Sequence, residues 1–292
     1  MTGQLSLDGM PTRLLRVTPS RLATWEDCRR RFRLTAVDQP PPPRGGAWAH
    51  ATLGAVVHNA LRALFAGPAR ERTPGRAAEL VTRHWSDEGF RDAAQSAEYR
   101  DRARGWVADY VGGDEAAAEP LGLERWVRGA AGGIVAEGRV DRIDARRGPH
   151  GDEAVVVDYK TGRRVPDDGD AAASPALALY ALATARTLRR RCRRVELHHL
   201  PSGTVAVAEH DDASLRAHRE RAEDTAAAIA DALDTDAARV AADPGRSGGP
   251  GALDVVFPAS PGPRCAWCEV RRHCPEGRSA APALASWELL AP

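Results

Sequence analysis

Apolar residues recur at positions 53, 56, 57, 60, 61, 64 and 65 in "ATLGAVVHNALRALF", the stripe of an amphipathic helix. Upstream, "TPSRLATWEDCRRRFRL" opens with Thr18 as an N-cap and Pro19 at the first helical position, and its helix is expected to carry Cys28 into a cluster of arginines. "DQPPPPRGG" at 38–46 breaks the chain between these two helices. Leu80, Val81, Trp85, Trp106 and Tyr110 predict two more helices, near 76–89 and 95–112.

After Gly133 the period shortens. "GIVAEGRVDRIDAR" and "EAVVVDYK" predict two strands joined by the turn "RGPHGD", and "SPALALYALATARTLRR" returns to helix. "RRVELHHL" and "TVAVAEH" predict a second hairpin around "PSG", followed by an alanine-rich helix over roughly 212–242. A Pro/Gly-rich stretch then leads to the last cysteines. The order helices, strand pair, helix, strand pair, helix predicts one α/β domain with helical additions.

A chain of 292 residues with 43% hydrophobic and 28% charged residues is globular in composition, and it is long enough to bury a large core. Its formal net charge of +1 gives no whole-molecule attraction to a polyanion, so any nucleic acid must meet a local patch. No apolar run spans a bilayer and the first residues lack a signal-peptide core, so the expected setting is cytoplasmic, with no membrane partner. Five cysteines in that setting are expected as ligands or buried thiols rather than disulfides.

Of 41 basic residues, one is a lysine, Lys160 in "VVVDYKTG". Residues two apart on a strand share a face, so Asp158 and Lys160 are expected side by side. "GRVDRID" puts Asp141 in the neighbouring strand, where the two carboxylates can converge on one hard divalent cation, Mg²⁺ or Mn²⁺. Such an ion activates water and stabilises a phosphoryl transition state. A compact ammonium beside it can orient or deprotonate that water, for which a guanidinium is too basic and too wide. The plainer alternative is a surface ion pair between Asp158 and Lys160, a task that arginine would do equally well.

"GRVDRID" followed by "VVVDYKTG" resembles the PD-(D/E)XK nuclease superfamily, in its RecB-type exonuclease branch, and "GAVVHNAL" is similar to that branch's upstream histidine motif. The resemblance implies a restriction-endonuclease-like mixed central sheet flanked by helices. It implies His58 as a further metal ligand, a metal contact by the carbonyl of Tyr159, and Tyr180 shaping the site from the following helix. Glu124, ahead of the first strand, stands where these nucleases often carry another acid. The branch usually has a glutamine four residues before the tyrosine, to help place the nucleic-acid strand; here Ala176 stands there.

"CAWCEVRRHC" supplies Cys265, Cys268 and Cys274, a trio open to zinc, with His273 completing the site, or to an iron–sulfur cluster. Cys28 near the other end makes four. The resemblance extends to the branch's iron–sulfur subgroup, including AddB-type subunits, which has one N-terminal and three C-terminal cysteines. It implies a [4Fe–4S] cluster that clasps the C-terminal tail to the first helix, with zinc the lesser alternative. That subgroup often has proline directly after its first cysteine, where this chain has Arg29. Cys192 is left over as a free thiol.

These readings divide the chain into a flexible tail over 1–17, a nuclease domain over 18–277 and a C-terminal tail over 278–292. The implied activity is hydrolysis of DNA phosphodiester bonds in repair or recombination, on single strands or duplex ends, with Arg142, Arg163 and Arg164 expected to contact phosphates. The rival reading is a DNA-binding or scaffold module that keeps the fold with little activity. "QLSLDG" resembles the start of a sliding-clamp docking peptide at residues 4–7, but Asp8 stands where an apolar residue is expected. No Walker motif is present, so any unwinding is left to a helicase partner.

Overall fold

The computed structural model describes residues 14–113, 117–148, 151–242 and 255–290. The clamp-like residues 4–7 lie outside them. A short strand, β1 (Leu15–Val17), leads into α1 (Pro19–Asp27), where Thr18 caps the helix by accepting the backbone N–H of Arg21 at 3.2 Å. α1 does not run through Cys28 as expected. Cys28 is extended, with φ −164° and ψ 113°, and its sulfur caps α2 (Arg29–Phe32), which passes into a π-helical turn (Arg33–Val37). α3 (Ala49–Phe65), α4 (Pro74–His84) and α5 (Ala93–Gly112) follow. α4 stops short of the expected position 89 because Trp85 turns extended and Gly89 takes a φ of 83°, where a Cβ would lie 2.5 Å from the nitrogen of Ala49.

Six strands make a mixed sheet. β2 (Pro120–Ala131), which was not among the expected strands, runs antiparallel along residues 134–144 of β3 (Ile134–Gly148). The other edge of β3 is shared. β1 pairs in parallel with Ile134–Ala136, and β4 (Gly151–Lys160) pairs antiparallel from Arg142 onward. Between those stretches that edge of β3 has no strand partner among the described residues, and Asp141 sits where the gap ends. α6 (Asp168–Ala173) and α7 (Pro175–Leu188) connect β4 to β5 (Cys192–His199), its parallel neighbour. β6 (Thr204–Glu209) completes the predicted hairpin, and α8 (Asp212–Ala242) is the long helix expected.

β4 is the central strand, and its continuous apolar run follows from burial on both faces. Val155 and Val157 pack among α3, α4 and α5, whereas Ala154 and Val156 pack among α1, α7 and α8. Val155, Val156 and Val157 are each at most 1% exposed, and full burial of such a side chain contributes about 1.5–3 kcal/mol. This anchoring is what holds Asp158 and Lys160 at the end of a rigid element.

Two boundaries shift. β1 lies inside the segment expected to be tail, because Leu15–Val17 finds the open edge of β3. The C-terminal segment packs rather than trails: Leu290 is buried, Ser286 accepts the backbone N–H of Ala49 at 3.0 Å, and Arg163 donates to the carbonyls of Glu288 and Leu290. Among the described residues no helix is long and apolar enough to cross a membrane.

Candidate metal centre and cysteine site

Where β3 and β4 part, Asp141 Oδ2 accepts the backbone N–H of Tyr159 at 3.0 Å. The same oxygen lies 3.4 Å from Nδ1 of His58 on α3, while Nε2 of that ring donates to the carbonyl of Tyr159 at 3.2 Å. A carbonyl can only accept, so Nε2 carries a proton, while Nδ1 faces the Asp141 carboxylate. Glu124 comes in from β2. One ligand atom each of His58, Glu124 and Asp141 lie within 4.8 Å of one another, the one group of this kind among the described residues.

Glu124 is held there against its backbone preference, with φ at 45°, a conformation that costs a residue with a Cβ about 1–2 kcal/mol. Arg139, 66% exposed, grips its carboxylate at 2.9 Å. Asp158 stands differently. Its Oδ2 pairs with Lys160 Nζ at 2.5 Å, and it is not part of the close ligand group. Asp158 and Lys160 lie side by side as expected, and they make the ion pair that the plainer alternative named.

The charges at this site are unevenly matched. Burial raises the Asp158 carboxyl above its ordinary range; Lys160 opposes that and Asp141 reinforces it. For His58, burial pulls downward, but the hydrogen bond and charge of Asp141, with Asp158 and Glu124 behind it, hold the ring above its ordinary value. Clustered carboxylates beside an imidazole are a donor set suited to a divalent cation. The residues present therefore fit the metal that the sequence motif implies.

A cleft of about 1250 Å³ opens on this cluster, lined by His58, Glu124, Asp141 and Tyr180, with Asn59, Arg62, Trp126 and Arg139 among its walls. Tyr180 reaches it because residue 138 is glycine; a Cβ there would lie 2.7 Å from the tyrosine ring. Ala176, one turn earlier on α7, faces away into a small groove against Pro19 and Leu22 of α1.

The expected phosphate contacts fare unevenly. Arg142 is fully buried and does not reach solvent: it pairs with Asp144 at 2.9 Å, donates to the hydroxyls of Tyr110 and Tyr159, and lies over the Phe65 ring. It follows Asp141 on a strand whose successive side chains point to opposite faces, which sends it into the core. Arg163 ties down the C-terminal segment, and Arg164 pairs with Asp170 while remaining 79% exposed. The basic residues that do line the cleft, Arg62 and Arg139, were missed, as was Trp126. The weak alternation of "LGLERWV" was the available signal for β2, which brings Glu124 and Trp126 in.

A second site gathers Cys28, Cys265, Cys268 and Cys274 around one cavity of about 550 Å³. Backbone N–H groups point at the sulfurs. Arg31 and Ser260 donate to Cys28 at 3.5 and 3.4 Å, and Gly277 donates to Cys274 at 3.3 Å. A Cβ on Gly277 would lie 3.4 and 3.6 Å from the sulfurs of Cys274 and Cys265, so both converge on that glycine. Burial pushes the Cys274 thiol up to about 11 and raises Cys268. His273 instead binds the carbonyl of Pro43 at 3.1 Å. Cys192 is apart, buried at the start of β5, its thiol pushed up to about 12 by burial.

Residues 16–275 match a family model described as the PD-(D/E)XK nuclease superfamily. No curated protein matches the chain.

Proposed function

Because this chain belongs to the PD-(D/E)XK nuclease superfamily, we propose that it is a Mg²⁺- or Mn²⁺-dependent deoxyribonuclease of the RecB-type exonuclease branch, acting in DNA repair or recombination. The convergence of His58, Glu124 and Asp141 beside Asp158 and Lys160 is the observation that carries this reading. A bound divalent ion would supply Lewis-acid stabilisation of the phosphoryl group and an activated water. Asp141, His58 and Glu124 would hold it, with Asp158 and the Tyr159 carbonyl alongside. Lys160 orients the water and offsets negative charge developing on the phosphate oxygens. Its flexible stem lets it leave Asp158 for that task. Tyr180 lines the same cleft.

The four cysteines are assigned to a [4Fe–4S] cluster with a structural role. The N–H groups aimed at their sulfurs suit thiolate ligands. Loading displaces the thiol protons, which burial otherwise retains on Cys268 and Cys274.

Cleavage of end-labelled single- and double-stranded DNA, with Mg²⁺ or Mn²⁺ and with wild type beside Lys160→Ala, tests the reading. We expect metal-dependent cleavage by wild type and a loss of at least about 100-fold in the variant. Equal cleavage by both removes this active site. Binding without cleavage by either protein supports instead a scaffold that has kept the nuclease fold, the reading that alanine at 176 favours.

A further inference from the structure

Trp126 is the one aromatic among the large apolar side chains left exposed in the described residues, with 57% of its surface open. It makes no ring stacking, cation contact or hydrogen bond among the described residues, so the fold makes no use of it. It stands on β2, which pairs with β3 along the edge opposite β1 and β4. Glu124 is two residues away, a rise of about 6.8 Å along a strand, and both side chains line the cleft. Directly across the strand pair is Arg139, whose guanidinium holds Glu124. Arg62, from α3, lines the same cleft, exposed and without an ion pair among the described residues. The cleft therefore presents an acid cluster, two guanidinium groups and a bare indole along its walls.

We propose that Trp126 is a stacking platform for the base of a nucleotide next to the scissile phosphate, and that the cleft therefore takes a strand whose base at that position is unpaired. This rests on the nuclease reading of the site. Inside a duplex each base face is covered by its neighbours, and an indole has nothing to lie against. An unpaired base offers its whole face, and because every base has one, such a contact tolerates any sequence. Arg62 and Arg139 meet the phosphates on either side, a contact that adds affinity without sequence preference.

The test compares binding of a labelled oligonucleotide, single-stranded or annealed to its complement, by fluorescence anisotropy in the full chain. The same proteins are assayed for cleavage. Trp126→Ala is expected to weaken single-strand binding about tenfold or more and to leave duplex binding and the melting temperature unchanged. Trp126→Phe restores most of the loss, whereas Trp126→Leu, which keeps apolar area without a π face, does not. The slope of log affinity against log salt stays that of wild type in Trp126→Ala, but falls by about 0.7 in Arg62→Ala. If the wild type cleaves DNA yet Trp126→Ala matches it on single strands, or loses single strand and duplex equally, the proposal is overturned and the nuclease reading stands. If the wild type neither binds nor cleaves either form, both fall together.

Discussion

Asp141 accepts the backbone N–H of Tyr159 across the fork of β3 and β4. One carboxylate thereby closes the strand pair and presents its remaining lone pairs to His58 and the cleft. Asp141→Asn keeps an oxygen for the Tyr159 N–H but loses the charge. Its fold is expected to survive, with activity down at least about 100-fold and no rise in melting temperature when Mg²⁺ or Mn²⁺ is added. Asp141→Ala should cost a further ~1 kcal/mol for the lost hydrogen bond. Melting curves with and without metal separate the two effects, and an unchanged metal response in Asp141→Asn would remove this residue as a ligand.

Arg142, one residue on, belongs to the core. Its pair with Asp144 is 0% and 4% exposed, and removing one partner of such a pair costs about 3–5 kcal/mol. Arg142→Met is therefore expected to lower the urea midpoint by a corresponding amount. The salt dependence of DNA binding should stay that of wild type under conditions where the variant is folded. A lower salt slope would instead place Arg142 on phosphate.

Glu196 gives a pH signature that involves none of the candidate metal ligands. Burial pushes its carboxyl up, but hydrogen bonds from His198 and Arg194 and the charge of Arg146 outweigh burial and hold it at about 2. A depressed carboxyl stabilises the folded state above its unfolded value, ~4.3, and the gain is lost as pH falls towards its folded value. Glu196→Gln should cost about 3 kcal/mol at pH 7, with the gap to wild type narrowing below pH ~4. Urea titrations across that range check it, and a gap independent of pH would show that the loss is packing rather than charge.

The cysteine assignment predicts brown protein on anaerobic purification. Cys274→Ser should lose the iron and become sensitive to limited proteolysis in its C-terminal third. After removal of the cluster, an alkylating reagent should modify Cys28, Cys265 and Cys268 while sparing Cys192, whose thiol is 3% exposed and pushed up to about 12. Mass spectrometry of the labelled peptides reads this directly. Stoichiometric zinc without iron, in protein never exposed to air, would overturn the cluster.

Local chemistry explains what could be read along the chain. The stripe of α3, the Thr18–Pro19 start of α1, the buried valines of β4 and the hairpin of β5 and β6 are short-range patterns. Each is fixed by residues within a turn or two of one another, and Asp158 and Lys160 share a face for the same reason. What the chain could not announce depends on distant partners. Leu15–Val17 is a strand because β3 leaves an edge open, and Glu124, to which only the family resemblance pointed, comes beside His58 and Asp141 because β2 pairs with β3 and Arg139 holds its carboxylate. Arg142 looked like a surface cation, and the Phe65, Tyr110, Tyr159 and Asp144 around it come from four separate elements. Sequence determined which local elements form and which residues share a face on them. Only the tertiary structure decided which side chains face solvent, because burial is a property of the neighbours that folding brings together, and no window of the chain contains them.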